Sequence, residues 1–488
     1  MFVNPHLKGN RSLFQWHCER VLKVERLALA ALCKESGVSP ASIHSRTVST
    51  SSVSTPQVLN RSQHSSNSPS SHPSTPSNAT GVFTPRIQVL IMTSEQNNED
   101  IQKFFIKKKY FGLKSDQVHF FQQQSLPCYD EATGKILMAS ESTMCVAPGG
   151  NGGVYASLAA PIRQTTTFGD KKPSSSSIRS DSTPVTETTG SLLDLLTARG
   201  VQQVQIFNVD NVLAKVADPL LYGYTRQCNA AVVVKTSSKV SPEERVGVFA
   251  RRNDRWGVVE YTEIGAHATE VNEDGSLRYN CANISVQNCT IGFLRRAAEE
   301  MRQSTLYHAA RKRIDTINGP VDGVKLEAFI FDMFYLAEDP SLQAHNTTEY
   351  EQAMGFKIMQ VAREEEFAPV KNADAPGATD CPLTAAQLLL SLHTRRVEDF
   401  LAKRVFSSSQ DCIQKLSSNE RSGSRIIAAL EVLRACSKQV QLSPLVSYDG
   451  EGLPPVECYL VDQLVDGRSH IVEVESRNMH RSEKTPSL

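Results

Sequence analysis

The chain has 488 residues, of which 40% are hydrophobic and 21% are charged, and its 52 basic and 52 acidic residues give a formal net charge of zero. This length allows two or more domains with a large core, and the composition is ordinary for a soluble globular protein. The balanced charge gives no reason to expect nucleic acid or an anionic membrane as a partner, and no apolar run is long enough to span a bilayer.

The cysteines and the first residues indicate a cellular compartment. Eleven cysteines are scattered along the chain without Cys-x-x-Cys pairs or the spacing of zinc ligands. The opening MFVNPHLKGNRSLFQ lacks the apolar stretch of a secretory signal. Small buried thiols in a reducing environment explain this pattern best, so we expect a cytoplasmic protein.

The first part of the chain combines one strong helix with segments of low complexity. Residues 12–33 begin at a serine that can cap a helix and carry apolar residues at helical spacing. Two segments, at about 40–85 and 165–190, consist mostly of Ser, Thr, Pro and Asn. Such segments bury too little apolar surface to offset their ordering entropy, so both are predicted to be disordered insertions.

Between and after the insertions, short apolar strands alternate with helices. This order is typical of an α/β domain with a parallel-type sheet covered by helices. The predicted elements are strands at 88–94, 118–124, 201–211 and 230–236, a helix at 98–112, and a hairpin with an Asn-Asp turn at 246–263. Beyond residue 371 we expect a helix at 383–394, a strand at 457–464 and a small C-terminal domain.

Polar residues and glycines follow several of these strands, where open α/β sheets bind their ligands. Gln122 and Gln123 end one strand, and the glycine-rich stretch APGGNGGVYASLA (147–159) comes shortly after it. Asp210 ends the strand QIFNVDN. At this position an aspartate can hold Mg²⁺ against phosphates or can cap the next helix, and the motif alone leaves both interpretations open.

Taken in order, several stretches resemble the eukaryotic UDP-N-acetylhexosamine pyrophosphorylases over nearly all of the chain except the serine-rich segments. The matching stretches are SLFQWHCERVLKVE, FFQQQSLPCYD, APGGNGGVYASLA, FNVDNVLAKVADP, VGVFARRND, YNCANIS, KLEAFIFDMF, EEEFAPVKNAD and LSPLVSYDGEGL. The resemblance implies a Rossmann-like nucleotidyltransferase sheet flanked by helices in residues 1–394. It also implies a small C-terminal domain in residues 395–488.

The resemblance also implies contacts with the nucleotide and the sugar. Gln123 and the backbone of Gly150 would read the uracil edge. Bare backbone in the GGNGG turn would let uracil and sugar approach closely. The hydroxyls and the amide of the N-acetylhexosamine would be contacted by Asn151, Gly247, Glu260 and Asn283.

The remaining roles concern the acetyl group and the phosphates. Phe329 and Phe331 would line the pocket for the acetyl methyl, Asp210 would bind Mg²⁺, and Lys371 would contact the sugar-linked phosphate. Each residue also has an ordinary structural interpretation. Phenylalanine is usually core, and a lone glutamate or lysine is usually solvated. The match of so many positions in order favours the site.

The implied activity is formation of UDP-N-acetylglucosamine and pyrophosphate from UTP and N-acetylglucosamine 1-phosphate. A broader-range UDP-sugar pyrophosphorylase and a non-catalytic nucleotide-sugar-binding paralogue are the alternatives. The preference between GlcNAc and GalNAc and the oligomeric state are left open.

One family feature has no match in the sequence. The Gly-Gly-x-Gly-Thr-Arg loop and the Pro-Lys-Gly lysine, which wrap the UTP phosphates in the family, are not found, and Met1 aligns just after the Pro-Lys-Gly. We therefore expect two free sheet edges, where the family has its first central strand, and slow turnover of UTP by the chain as written.

Overall fold

The computed structural model describes residues 3–37, 84–162, 189–252, 255–338, 355–411 and 420–481. The predicted serine-rich insertions fall almost entirely outside these ranges, as does the predicted Asn-Asp turn at 253–254. The helices in the described residues are α1 Leu13–Ser36, α2 Asn98–Lys107, α3 Val154–Ala159, α4 Leu192–Ala198, α5 Pro219–Gln227, α6 Ile291–Gln303, α7 Arg363–Glu366, α8 Pro382–Asp411, α9 Glu420–Arg434 and α10 Glu457–Val465.

The strands pair into one large sheet and several small ones. Their bounds are β1 Val89–Thr93, β2 Val118–Gln122, β3 Ser125–Pro127, β4 Tyr129–Asp130, β5 Val146–Pro148, β6 Pro161–Ile162, β7 Thr189–Ser191, β8 Gln203–Phe207, β9 Val232–Ser238, β10 Val248–Arg252, β11 Arg255–Val259, β12 Cys281–Thr290, β13 His308–Thr316, β14 Gly319–Glu327, β15 Phe356–Gln360, β16 Gln439–Leu442 and β17 Ile471–Val474.

The predicted α/β class is confirmed, but the large sheet is mixed rather than parallel. Its order is β11-β10-β12-β9-β15, and β8 also pairs with β12, along Val286–Thr290 and opposite β9. β12 runs antiparallel to β8, β9 and β10, whereas β15 is parallel to β9. Between β9 and β12 the chain forms the predicted hairpin β10–β11, and the described residues of this stretch contain no α-helix. Without a crossover helix the strand returns antiparallel.

A second, two-stranded parallel sheet of β1 and β2 is separate from the large one. Among the described residues, β1 pairs only with β2 and β8 only with β12. That a family strand would fill the space between them stays a prediction. A cavity of about 720 Å³ is lined by both strands and by residues of α1, α2 and α3, among them Phe14, Phe105 and Leu158.

The helix α1 matches its prediction closely. The Ser12 side chain accepts a hydrogen bond from the Gln15 amide at 3.2 Å, and Gly37 ends the helix in the left-handed region at φ 66°. The α-helix predicted at 98–112 ends earlier, at Lys107, and a tight turn continues to Gly112. Among the described residues, no helix is long and apolar enough to cross a membrane.

The C-terminal part corrects one prediction. Residues 457–464 were expected to form a strand, but they lie in helix α10. Leu460, Val461 and Leu464 are its buried residues, and this spacing places them on one helical face. The division between residues 394 and 395 stays a prediction, and helix α8 runs through it without interruption.

Candidate active site

The glycine turn packs on a distant segment of the chain. Gly150 has φ 91°, which favours glycine. A Cβ at Gly150 would lie 2.4 Å from the carbonyl oxygen of Ala328, and the Gly152 amide donates a hydrogen bond to that oxygen at 2.9 Å. The absence of side chains at Gly150 and Gly152 therefore lets the backbone at Ala328 pack directly against the turn. Approach of a ligand to the same turn stays a prediction.

Asn151, in the middle of the turn, adds a side-chain hydrogen bond to the contact between the turn and the segment after Ala328. Its Oδ1 accepts a hydrogen bond from the Ile330 amide at 3.0 Å. The segment that carries Phe329 and Phe331 is thereby held against the start of α3. The amide nitrogen of the Asn151 side chain can in turn donate to a ligand oxygen.

Gln123 supplies an unsatisfied acceptor beside this turn. Its backbone amide donates to the Thr93 carbonyl at 2.9 Å, which fixes the residue at the end of β2. Its Oε1 is buried and has no hydrogen-bond partner in the part of the chain that the structure describes. A Cβ at Gly153 would be 4.0 Å from this oxygen. Because a buried unpaired acceptor costs free energy, a ligand N–H donor at this point would be favoured.

The structure brings three predicted sugar contacts together at the edges of β10, β11 and β12. The Asn283 amide donates to the Gly247 carbonyl at 2.8 Å. A Cβ at Gly247 would be 3.1 Å from Oε1 of Glu260. The same Cβ would be 2.7 Å from Cγ1 of Val258, so a side chain at Gly247 would force both neighbours to shift. Asn283 Oδ1 accepts from the Ser285 amide at 2.9 Å, which orients its side chain.

The charge state of Glu260 is set by its surroundings. Burial raises the pKa of the Glu260 carboxyl, and repulsion from Glu263 adds to the rise, whereas His308 and Lys371 oppose it. Raised carboxyl pKa values in a cleft are common at functional sites, because function keeps a charged group where folding alone would not place it.

Three aromatic rings, those of Phe329, Phe331 and His308, pack together and form what we call the aromatic wall. The Phe329 and Phe331 rings are 5.1 Å apart, and the His308 ring lies 4.5 Å from Phe329 at 32°. Phe331 is 9% exposed and packs in the largest core cluster, whereas Phe329 is only partly buried. Phe329 therefore has free surface for an apolar group, and Phe331 supports it from the core.

Two residues of this wall were missed from the sequence. Asp332 accepts from the Phe329 amide at 2.8 Å, and His308 Nε2 lies 3.1 Å from both Asp332 oxygens. Burial raises the pKa of Asp332, and the contact with His308 opposes that rise. A signal was present for Asp332, since it lies within the motif KLEAFIFDMF. His308 begins β13 and had no local signal.

Asp210 and Lys371 lie on two adjoining loops. The Val370 amide donates to the Asp210 carbonyl at 3.1 Å. Burial raises the pKa of Asp210, and the nearby positive charge of Lys371 opposes the rise. Asp210 does not cap the next helix, because Asp218 caps α5. Lys371 is exposed, and its charge opposes the rise in pKa of both Asp210 and Glu260, so it lies between these two carboxylates.

The donor set is compatible with Mg²⁺ shared with a substrate. Among the described residues, no group of three or more His, Cys, Asp or Glu side chains could enclose a metal ion. Mg²⁺ commonly binds through one or two carboxylates, waters and substrate phosphates. The half-buried carboxylate of Asp210 fits that mode.

Comparison with known proteins gives a consistent result. A family model described as UTP–glucose-1-phosphate uridylyltransferase matches residues 78–162 and 187–398. UDP-N-acetylglucosamine diphosphorylase 2 of Arabidopsis thaliana is 35% identical over 398 residues, which is 81% of this chain and 61% of the relative. UDP-N-acetylhexosamine pyrophosphorylase-like protein 1 of Xenopus tropicalis is 31% identical over 392 residues, 78% of this chain and 65% of the relative. The chain thus spans less than two thirds of the length of these relatives.

A solved structure extends the similarity to the fold. The crystal structure of the uridine diphosphate N-acetylglucosamine pyrophosphorylase from Trypanosoma brucei in complex with an inhibitor matches with a TM-score of 0.73 and 38% identity. It covers 97% of this chain and 74% of that chain. The resemblance inferred from the sequence motifs is confirmed.

Proposed function

The chain belongs to the UTP–glucose-1-phosphate uridylyltransferase family, and we propose that it transfers a uridylyl group from UTP to N-acetylglucosamine 1-phosphate, releasing pyrophosphate. The observation that carries the proposal is the arrangement of the site. Near Gly153 of the glycine turn, Gln123 has a buried acceptor without a hydrogen-bond partner among the described residues, and the partly buried Phe329 packs its carbonyl group against Gly152. Uracil has an N–H group that can donate to the Gln123 side chain, and the acetyl methyl is an apolar group that can pack on Phe329.

The proposed reaction is an in-line transfer of the uridylyl group between two phosphate oxygens. An oxygen of the sugar 1-phosphate attacks the α-phosphorus of UTP, and the bond to the β-phosphate oxygen breaks, so that pyrophosphate leaves with the electron pair. The attacking oxygen is already ionised, so no general base is needed. Rate then depends on in-line positioning and on neutralising phosphate charge, for which Lys371 supplies an ammonium group.

We propose Mg²⁺ as the cofactor, held by Asp210. When bound, Mg²⁺ neutralises phosphate charge as it moves to the leaving pyrophosphate. Asn151, Glu260 and Asn283 present amide and carboxylate groups that can pair with sugar hydroxyls and the sugar amide. Since ten described cysteines are all free, a reducing compartment suits the chain, and we propose the cytoplasm. The proposed partners are UTP and the hexosamine phosphate, without nucleic acid or membrane.

The test is a pyrophosphate-release assay with UTP, Mg²⁺ and three acceptors, namely the 1-phosphates of N-acetylglucosamine, N-acetylgalactosamine and glucose. We expect turnover with N-acetyl sugars that exceeds turnover with glucose 1-phosphate. Gln123→Leu should raise the KM for UTP roughly 10- to 100-fold, because an unpaired polar group costs a few kcal/mol. Gln122→Leu, which changes the exposed neighbour, is the matched control.

Other outcomes contradict the proposal in distinct ways. Equal rates with glucose 1-phosphate would support the broader-range pyrophosphorylase. No pyrophosphate release with any acceptor, together with calorimetric binding of UDP-N-acetylglucosamine, would support a non-catalytic binding protein.

A further inference from the structure

A lysine is completely buried in the middle of the large sheet. Lys235 lies on β9 and has 0% exposure. Its Nζ is 2.5 Å from Oδ2 of Asp218 and 2.5 Å from Oε2 of Glu366. Both carboxylates are themselves buried, with 2% and 5% of their residue surface exposed. We call Lys235, Asp218 and Glu366 the Lys235 cluster.

The two carboxylates belong to the two segments that carry the charged residues of the site. Asp218 follows Asp210 in the loop between β8 and α5, and its Oδ1 accepts from the Leu220 amide at 2.9 Å to start that helix. Glu366 ends α7 and precedes Lys371. One ammonium group therefore joins the Asp210 segment, the Lys371 segment and the sheet at a single point.

Asn211 joins the same two segments a second time. This residue, 2% exposed, donates from Nδ2 to the Glu366 carbonyl at 2.7 Å, and its Oδ1 accepts from the Ala368 amide at 2.9 Å. The Val212 amide donates to the Ala368 carbonyl at 3.2 Å. The segments are thus connected in register over several residues by directional bonds.

We propose that Lys235 is a positioning residue that sets the separation of Asp210 and Lys371, and so the alignment of phosphates between them. This inference rests on the proposed function. Net stabilisation is a weaker explanation of the cluster, because desolvation of buried charges offsets most of their attraction and apolar replacements are often as stable. Two short contacts from one atom restrict direction and distance more than apolar packing would.

The cluster has one ammonium group and two carboxyl groups, and Lys215, whose Nζ is 3.9 Å from Oε1 of Glu366, adds a second positive charge beside it. Burial raises the pKa of Glu366, and the charges of Lys235 and Lys215 oppose that rise. Removing Lys235 alone would leave two buried carboxylates facing each other, and the variant would unfold for a reason unrelated to positioning. The test must therefore remove all three charges together.

The test compares a neutralised cluster with a matched control. The cluster variant is Asp218→Asn, Lys235→Met and Glu366→Gln. The control variant is Arg11→Met, Glu19→Gln and Glu475→Gln. It removes the charges of Arg11 and of its two nearer partners, Glu19 at 3.1 Å and Glu475 at 2.5 Å, and keeps the more exposed Glu473, which lies 3.5 Å from Arg11. If the cluster variant does not fold, Glu366→Gln alone, which leaves Lys235 paired with Asp218, replaces it.

Kinetics and hydrogen exchange are measured on the full chain. We expect the cluster variant to lose roughly 10- to 100-fold in kcat, since small misplacements cost that much. The KM for N-acetylglucosamine 1-phosphate should change less than about threefold, because other elements hold the sugar contacts. Amide exchange should accelerate in residues 208–218 and 363–371 and not elsewhere. For Glu366→Gln we expect a smaller loss of kcat with the same local exchange.

Several results would overturn the inference. One is a folded cluster variant, or folded Glu366→Gln, with parental kcat and parental exchange. Another is acceleration of exchange spread evenly over the chain, which indicates a role in stability only. A third is an equal loss of kcat in the control variant. If the parent protein shows no turnover, the proposed function is wrong, and the local exchange pattern alone decides whether Lys235 orders the two segments.

Discussion

Gly152 packs directly against the backbone of Phe329, so that a Cβ at Gly152 would lie 2.8 Å from both the carbonyl carbon and the carbonyl oxygen of Phe329. Real Cβ atoms do not approach backbone so closely without a shift of the chain. The turn before α3 and the aromatic wall of the site are therefore one packed unit. We expect a substitution in either segment to shift the position of the other.

This contact makes Gly152→Ala a sharp test of the packing. Gly152 does not have positive φ, so the effect is steric only. We expect the free energy of unfolding to fall by about 1–3 kcal/mol, the usual cost of overpacking, and the KM for the sugar phosphate to rise. Urea denaturation and steady-state kinetics measure both. Gly257→Ala, whose new Cβ would have no atom of the described residues within 4 Å, is the control and should be close to neutral.

The metal assignment is tested by Asp210→Ala. Loss of the carboxylate should lower kcat roughly 10²- to 10³-fold, as loss of a group that stabilises charge in the transition state does. Binding of UDP-N-acetylglucosamine without metal, measured by calorimetry, should change little. Asp274→Ala on an exposed turn is the control. Undiminished turnover of the Asp210 variant would refute the assignment.

Phe329 should determine selectivity for the acetyl group. Phe329→Leu removes the ring that packs against His308 and Phe331. We expect the ratio of kcat/KM for N-acetylglucosamine 1-phosphate over glucose 1-phosphate to fall about tenfold, the effect of small changes in an apolar pocket. Glucose 1-phosphate is the internal control, because it has no acetyl group. A constant ratio would remove Phe329 from the acetyl pocket.

The ionised carboxylate of Glu260 should lower the free energy of unfolding at neutral pH. Burial raises its pKa above the ordinary value, so the folded chain binds this proton more tightly than the unfolded chain. The associated stability is full below the unfolded pKa and is lost as pH rises through the folded pKa. We therefore expect Glu260→Gln to have a higher Tm than the parent at about pH 7 and the same Tm near about pH 4.

A carboxylate with the opposite shift provides the control for that experiment. Hydrogen bonds from Ser191, with help from Arg295, lower the pKa of Asp194 to about 2. Its stabilisation is present above the unfolded pKa and is lost as pH falls through the folded pKa. Asp194→Asn should thus lower Tm at neutral pH, and the difference should shrink in acid. Thermal unfolding between about pH 3 and 8 follows both variants.

Local patterns were sufficient for most elements near the site. Ser12 and Gly37 mark the ends of α1 because caps act within one turn. The apolar runs that became β1, β2, β8 and β9 were correctly predicted as strands. The pattern was insufficient for residues 457–464, where a short run of apolar residues suits either a strand or a helix, and packing of Leu460 and Leu464 in the C-terminal core decided for the helix.

The order of motifs in the sequence by itself determined the family, the α/β class and the set of ten candidate residues, because each motif is local. Only the tertiary structure decided that β12 runs antiparallel to its neighbours, that Gly150 and Gly152 make room for Ala328 and Phe329, and that His308 and Asp332 support the aromatic wall. In the run AAVVVK, Lys235 gave no local sign that it would be enclosed by Asp218 and Glu366. Contacts between residues far apart in the chain depend on how the sheet closes, and no local pattern of residues contains that information.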